Sequence, residues 1–237
     1  MTAQQQRGDV AVLVPAAGRG ERLGPGVPKA LRELAGVPLL AHAVRRLAAA
    51  PSVGHIVVAT PPGGEADVAA LLEPVVADTH VGLTLVPGGA EREASVSAAL
   101  AAAPPEYQII LVHDAARAFA PPELVERVAA AVRDGGDAVI PVLPVVDTIK
   151  RVDDDGQVVD TVDRAALRAV QTPQGFRRGV LEAAHRAADP NAPATDDAGL
   201  VERLGGKVGT VPGEIAALKV TRPFDLEIAA LLAGPVR

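Results

Sequence analysis

The chain has 237 residues and carries 23 Lys and Arg against 29 Asp and Glu, a net charge of −6. With three Phe, one Tyr and no Trp it lacks the basic surface and stacking rings of a nucleic-acid binder, so no nucleic-acid partner is expected. Cysteine is absent, which excludes disulfides and thiolate metal sites. No apolar run reaches the roughly 20 residues of a membrane span. Residues 1–9, MTAQQQRGD, read as a disordered polar tail and not a signal peptide. No membrane partner and a cytoplasmic location are expected by elimination.

Short apolar runs recur at Val10–Val14, His55–Ala59, Leu83–Val86, Ile109–Val112, Ala138–Val142, Leu167–Val170 and Lys207–Val211. Near-continuous hydrophobicity of this length predicts strands buried on both faces of a parallel sheet. Helical patterns fall between them, at Leu31–Ala50, Glu65–Leu72, Ala94–Ala102, Pro122–Asp134, Arg177–Ala188, Ala198–Leu204 and Pro223–Leu232. Strand and helix in alternation predict βαβ units, an α/β fold with a Rossmann-like, mostly parallel twisted sheet flanked by helices. No linker or repeat divides residues 10–237, which read as one domain. One stretch breaks the alternation. Residues 145–162 read VVDTIKRVDDDGQVVDTV, two alternating segments around an Asp-Gly turn, a hairpin signal. An isolated two-stranded arm, about 145–165, needs something to pack on, and a second subunit is the expected partner.

Three constellations follow strand ends. The first, Pro15-Ala16-Ala17-Gly18-Arg19-Gly20-Glu21-Arg22-Leu23-Gly24 with Pro28-Lys29 beyond, places small residues and two cations where backbone N–H groups can nest an anion. Its glycine spacing is neither the dinucleotide fingerprint nor a Walker loop, which disfavours a nicotinamide dehydrogenase; a surface loop with solvated cations is the bland alternative. The second, Val112-His113-Asp114-Ala115-Ala116-Arg117, sets an acidic residue at the ligand-binding edge of an open sheet. A carboxylate there serves equally as a helix N-cap or a hard-metal ligand, Arg117 can clamp an anion beside it, and His113 reads as structural. The third, Gly88-Gly89-Ala90-Glu91-Arg92-Glu93-Ala94-Ser95, is a turn or a backbone reader of a nucleobase. Polar clusters at Thr172-Pro173-Gln174, Thr195-Asp196-Asp197 and Leu218–Pro223 are caps or turns taken singly.

Taken in order, PAAGRGERLG…PK, GGAERE.S, VHDAAR, VDTIKRV, TPQGF, TDDAG and KVTRP resemble the 2-C-methyl-D-erythritol 4-phosphate cytidylyltransferases of the non-mevalonate isoprenoid pathway, from about Val10 to Leu232. The resemblance implies a homodimer with exchanged β-arms, CTP and a sugar-alcohol phosphate as substrates, and Mg²⁺ as cofactor. It further implies that Arg22, Lys29, Lys219 and the arm residue Arg164, reaching into the partner's site, are catalytic. Pro15, Ala16, Ala17, Gly18, Arg19, Gly20, Gly88, Gly89, Ala90, Ser95 and Ala115 would bind CTP. Arg117, Thr148, Thr172 and Thr195 would surround the acceptor, and Asp114 would hold the metal. Two departures stand out: Ala217-Leu218 where the family often has Asn-Ile, and Ala90 where acidic or amide side chains are common. The related ribitol-5-phosphate cytidylyltransferases share several blocks, and a nucleotide-binding sensor without turnover is a further alternative.

Overall fold

A computed structural model describes residues 8–18, 27–189, 191–192 and 194–233. Its centre is an eight-stranded sheet. Strands β1 (Val10–Pro15), β4 (Val53–Thr60), β5 (Gly82–Pro87) and β6 (Ile109–Val112) run parallel in the order β5-β4-β1-β6. Beyond β6 lies β11 (Gln174–Arg177), antiparallel to it and to β7 (Ala138–Pro144). Strand β10 (Arg168–Val170) lies antiparallel along the same side of β7, and β12 (Val208–Pro212) pairs parallel on the other side.

The alternation of side chains along β1 divides the core in two. Val10, Val12 and Val14 pack with α1 (Leu39–Ala48), α2 (Glu65–Val76) and α4 (Pro122–Arg133). Ala11 and Leu13, pointing to the opposite face, pack with α3 (Arg92–Ala102), α5 (Arg178–Arg186) and α6 (Asp197–Arg203). Because Val10 to Val14 of β1 are fully buried, both faces must be apolar, which is why its sequence reads as an unbroken run and not as an alternation.

Strands β10 and β12, expected to be buried on both faces, lie largely exposed at the end of the sheet, and two further expectations need correction. The helix expected over Leu31–Ala50 begins only at Leu39. Before it come a 3₁₀ turn, Lys29–Leu31, and a small hairpin of β2 (Glu33–Leu34) and β3 (Val37–Pro38). Ala35 and Gly36 at its tip have φ of 52° and 74°, both positive as a two-residue turn matched to strand twist requires. Pro38 then stands where helix α1 can begin but not extend backwards. The second correction is β11, read from sequence as a polar cluster followed by a helix. Gly175 makes it possible: a Cβ there would lie 2.6 Å from Val128 and 2.8 Å from Val132, so the strand passes directly beneath α4. The Thr172–Pro173 peptide between β10 and β11 is cis.

The hairpin arm is present as β8 (Ile149–Val152) paired with β9 (Val158–Val162). Its tip is tied by Asp153, whose Oδ1 accepts from the amides of Asp155 and Gln157 at 3.1 and 2.8 Å, with Gly156 at φ 78°. Helix α7 (Pro223–Ala233) closes the described chain. It packs through Ala229 with Leu34, Leu39, Phe119 and Val220, joining the β2–β3 hairpin to the segment that bears Lys219.

Gly175→Ala is expected to destabilise the protein by about 1–3 kcal/mol, the usual cost of overpacking a filled core, measured as a lower urea midpoint with an unchanged slope. A neutral result would mean that α4 does not press on β11.

Candidate active site

The parallel strands β1, β4, β5 and β6 all end on one edge of the sheet, and the loops that follow them build the site. After β1, Ala16 is pinned by its amide to the carbonyl of Ala59 at 2.8 Å. After β5, the loop can approach closely because Gly88 has no side chain: a Cβ there would meet that of Ala17 at 2.5 Å and the carbonyl of Thr60 at 2.9 Å. Ser95 receives the Gly89 amide on its Oγ at 3.1 Å and gives its own proton to the Glu91 carbonyl at 3.1 Å. After β6, Asp114 and Arg117 are the ends of a backbone turn, Arg117 N to Asp114 O at 2.9 Å. No helix begins at Asp114, so the N-cap alternative does not hold.

Lys219 reaches the same place from the far end of the chain. The Val220 amide donates to the Ala116 carbonyl at 2.9 Å, and Asp225 Oδ2 accepts from the amides of Thr221 and Arg222 at 2.7 and 2.8 Å. The segment is thus fixed immediately after the lysine. Its Nζ lies 2.7 Å from Asp114 Oδ2, while Arg92 Nε lies 3.1 Å from Oδ1. Arg92 turns its Nη1 to Asp197 Oδ2 at 2.7 Å.

Two cavities meet at this cluster. The first, about 170 Å³, lies among Pro15, Ala16, Ala17, Gly18, Lys29, Gly89, Ala90, Ser95 and Ala115. The second, about 250 Å³, lies among Arg117, Val170, Gln171, Thr172, Gln174, Thr195 and Asp196. Arg92, Asp114 and Lys219 line both. A molecule in one cavity therefore faces a molecule in the other across a carboxylate and two cations.

Burial pushes the Asp114 carboxyl up, but Arg92, Lys219 and Arg117 together outweigh it and hold the group far below the usual carboxylate range. Arg92, although burial opposes its charge, is kept protonated by Asp197 and Asp114. Arg117 is pulled down by burial and only partly restored by Asp114. It spends Nη1 on the Ala217 carbonyl at 2.7 Å and Nη2 on that of Val170 at 3.1 Å. Its buried Nε has no hydrogen-bond partner among the described residues. Thr172 Oγ1 accepts from the Asp114 amide at 3.0 Å and stands 3.3 Å from His113 Nδ1. His113 Nε2 meets the Arg117 carbonyl at 3.2 Å, so the ring is held neutral with its proton on Nε2. It is structural, as its sequence context suggests.

No cluster of three acidic, histidine or cysteine groups that could hold a metal ion is found among the described residues. Magnesium binds through one or two carboxylates, with substrate phosphates and water completing its shell. Each Asp114 oxygen keeps a further lone pair beyond the bond it now accepts, so the residue fits that ion as its single protein carboxylate.

Within the first cavity stand Pro15, Ala16, Ala17, Gly18, Lys29, Gly89, Ala90, Ser95 and Ala115; within the second stand Arg117, Thr172 and Thr195. Gly88 stands behind the first as a spacer. Arg19, Gly20 and Arg22 lie outside the described residues. Thr148 and Arg164 line neither cavity. Both are exposed on the arm, where Arg164 Nη1 donates to the Val146 carbonyl. Sequence reasoning missed Arg92, Asp197, Gln171 and Gln174. Arg92 was legible as the cation within the glycine-pair motif, but nothing local tells that its partner lies 105 positions away.

The chain matches the family model described as 2-C-methyl-D-erythritol 4-phosphate cytidylyltransferase over residues 10–234. This chain belongs to that family. Its relatives include a protein of that name from Saccharopolyspora erythraea, 57% identical over 94% of this chain and 99% of the relative. Another, from Frankia casuarinae, is 57% identical over 94% of this chain and 81% of the relative. The crystal structure of the Thermus thermophilus protein of that name superposes with a TM-score of 0.76 at 38% identity, covering 94% of this chain and 98% of the other. The family's members are cytidylyltransferases, and the chain is an enzyme of that kind. No helix among the described residues is long and apolar enough to cross a membrane.

Burial pulls the His113 imidazolium down to about 4, against about 6.5 in an unfolded chain. Between these values the unfolded state takes up a proton that the native state refuses, so stability falls as pH drops from about 6.5 to about 4 and is unaffected by this group above it. Urea unfolding at pH 7, 5.5 and 4.5 should show that decline, and His113→Gln should flatten it. An equal slope in the variant would assign the decline to other groups.

Proposed function

We propose that the chain transfers the cytidylyl group of CTP to 2-C-methyl-D-erythritol 4-phosphate, giving 4-diphosphocytidyl-2-C-methyl-D-erythritol and pyrophosphate. The observation that carries this reading is the shared wall of Arg92, Asp114 and Lys219 between two cavities. The first cavity suits the nucleotide: small residues on β1's loop admit phosphates close to backbone N–H groups, and Gly89, Ala90 and Ser95 face the base. The second, ringed by Arg117, Thr172, Thr195 and Lys219, suits the acceptor phosphate.

The acceptor is a phosphate monoester whose second pKa is about 6, so its attacking oxygen is already anionic at neutral pH. Its lone pair forms the new P–O bond to the α-phosphorus as the bond to the bridging oxygen breaks and pyrophosphate leaves. No proton is removed from the nucleophile, and no general base is needed. The task is to bring two anions together in line, which positioning and fixed cations accomplish. Lys29 and Lys219 line the nucleotide cavity, and family resemblance gives Arg22 the same role as Lys29. Magnesium, held by Asp114 and phosphate oxygens, would neutralise charge on the triphosphate. The loss of a polar side chain at Ala90 leaves base recognition to backbone groups and Ser95. A cytoplasmic location suits a cysteine-free enzyme of soluble substrates.

The arm extends this reading to a homodimer. Val146 is 77% exposed and Val158 60%, an apolar ribbon that no described residue of its own chain covers. Thr148 and Arg164 line neither cavity of their own subunit, which supports a reading in which the arm delivers them to the partner's site. A two-fold axis makes the exchange reciprocal.

Pyrophosphate release from CTP should depend on 2-C-methyl-D-erythritol 4-phosphate and far less on ribitol 5-phosphate; the reverse preference would reassign the acceptor. Lys29→Ala should lower kcat by roughly 10²–10³, the loss seen when one transition-state donor is removed, with little change in the KM for CTP. An increase in KM alone would make Lys29 a plain binding residue. For the arm, mixing Arg164→Ala and Lys29→Ala subunits should restore activity, since one site of the mixed dimer collects both lesions and the other neither. A mixture that stays inactive although subunits exchange would show that the site is not shared.

A further inference from the structure

Behind Arg92 lies a string of polar groups that touches neither cavity. Asp197 opens α6 and is 1% exposed; its Oδ2 accepts from Arg92 Nη1 at 2.7 Å and its Oδ1 from His185 Nε2 at 3.0 Å. His185, in the last turn of α5, has its Nδ1 2.9 Å from Ser97 Oγ on α3. The only consistent proton arrangement with a neutral ring has Ser97 donating to Nδ1 and Nε2–H donating to Asp197. Three helices from one face of the sheet thus converge on a buried carboxylate whose remaining contact is the cation of the reaction centre.

Burying a carboxylate is costly unless it is paired, and this one satisfies no substrate. Its effect is on how Arg92 is spent. A guanidinium beside a lone carboxylate tends to form a two-pronged fork, with parallel bonds to both oxygens. Here Asp197 takes Nη1, which rules out an end-on fork of both Nη groups onto Asp114, and Asp114 receives only Nε, on Oδ1. Asp114 Oδ2 is left to Lys219, a single flexible cation that a phosphate can attract away. We propose that the Asp197–His185 pair is a positioning device for cytidylyl transfer: it holds Arg92 turned away from a full grip on Asp114, which keeps that carboxylate open to a phosphate-bound divalent cation and keeps Arg92 fixed between the two cavities. His185 sets the orientation of Asp197, and Ser97 sets the orientation of His185. The inference rests on the reaction proposed above and adds residues that touch neither substrate.

The test compares full-length wild type with Asp197→Asn and His185→Leu, each measured well below its own melting temperature. The first readout is the calorimetric affinity for CTP with Mg²⁺ and, separately, with EDTA, in both cases without acceptor. The second is kcat for pyrophosphate release. In Asp197→Asn, Arg92 is released to fork onto Asp114. Its Mg²⁺-dependent CTP affinity and its kcat should then each fall by roughly 10–100-fold, as when the outer partners of a metal ligand are removed, while the affinity in EDTA stays near wild type. His185→Leu should shift both readouts in the same direction. His185→Gln, which can still donate to Asp197, should restore them. Should Asp197→Asn fail to fold, His185→Leu and Ser97→Ala carry the comparison. The proposal is overturned if folded variants melt earlier yet keep wild-type kcat and the wild-type response of CTP binding to Mg²⁺, the pattern of a purely structural cluster. Absence of turnover in the wild type itself would instead remove the assigned reaction.

Discussion

Asp114 has one carboxylate oxygen against Arg92 and the other against Lys219, and the rest of the site is arranged around that double contact. The three residues come from the end of β6, the start of α3 and the segment before α7, so closing the contact requires nearly the whole chain to have folded. Each component is locked separately: the Asp114 amide on Thr172, the Lys219 segment on Ala116, and Arg92 on Asp197. A charged pair this buried contributes little net stability, because the desolvation of its members cancels much of their attraction. Its value is directional, fixing where charge stands before any substrate arrives.

The sheet provides the frame for that fixation. Four parallel strands end on one edge, and the ligand site of an open α/β sheet lies outside such an edge. β11 alters the pattern by running antiparallel through the middle, between β6 and β7. Its insertion carries the preceding residues, Gln171 to Pro173, back past the end of β6, which is how Thr172 comes to receive the Asp114 amide. Gln171 then binds the far segment, accepting from the Glu214 amide and donating to the Glu214 carbonyl, both at 2.9 Å. An all-parallel arrangement would place a crossover helix there and leave the second cavity without that wall.

Much of the frame was legible because it follows from local pattern. The buried strands read as apolar runs, and their positions in the structure differ mainly by a residue or two at the ends. The arm announced itself through Asp153–Gly156 between alternating segments. β11 was not legible: Gln174, Gly175 and Arg177 do not resemble a central strand, and its burial depends on a glycine fitting beneath α4, a fact of tertiary packing. The helix expected from Leu31 failed for a related reason, since Ala35 accepts a positive φ that propensity alone would not assign to alanine. Among site residues, those presented by loops after strands could be found from their motifs. Asp197 and His185 could not, because a buried aspartate at a helix start looks like an ordinary cap until its partners are known. Asp196 does serve as that cap, accepting from the Gly199 amide at 2.9 Å, which frees Asp197 for Arg92.

The charge pattern explains why an acidic protein can receive two acidic substrates. The net charge of −6 is a property of the whole surface, whereas Lys29, Arg92, Arg117 and Lys219 converge on the cavities, with Arg92 and Lys219 paired to Asp114 and Arg92 to Asp197. Without substrate, these cations would repel one another across a space partly excluded from water; the two carboxylates hold Arg92 and Lys219 in place. When phosphates enter, they take over contacts that Asp114 now makes, and the cations need move little to meet them. Binding then exchanges one set of anionic partners for another without reorganising the site, and preorganisation of this kind favours stabilisation of charge as it develops in transfer. Asp197 differs from Asp114 in being sealed from both cavities. No phosphate can replace it, so it remains the fixed point against which Arg92 is oriented throughout the reaction.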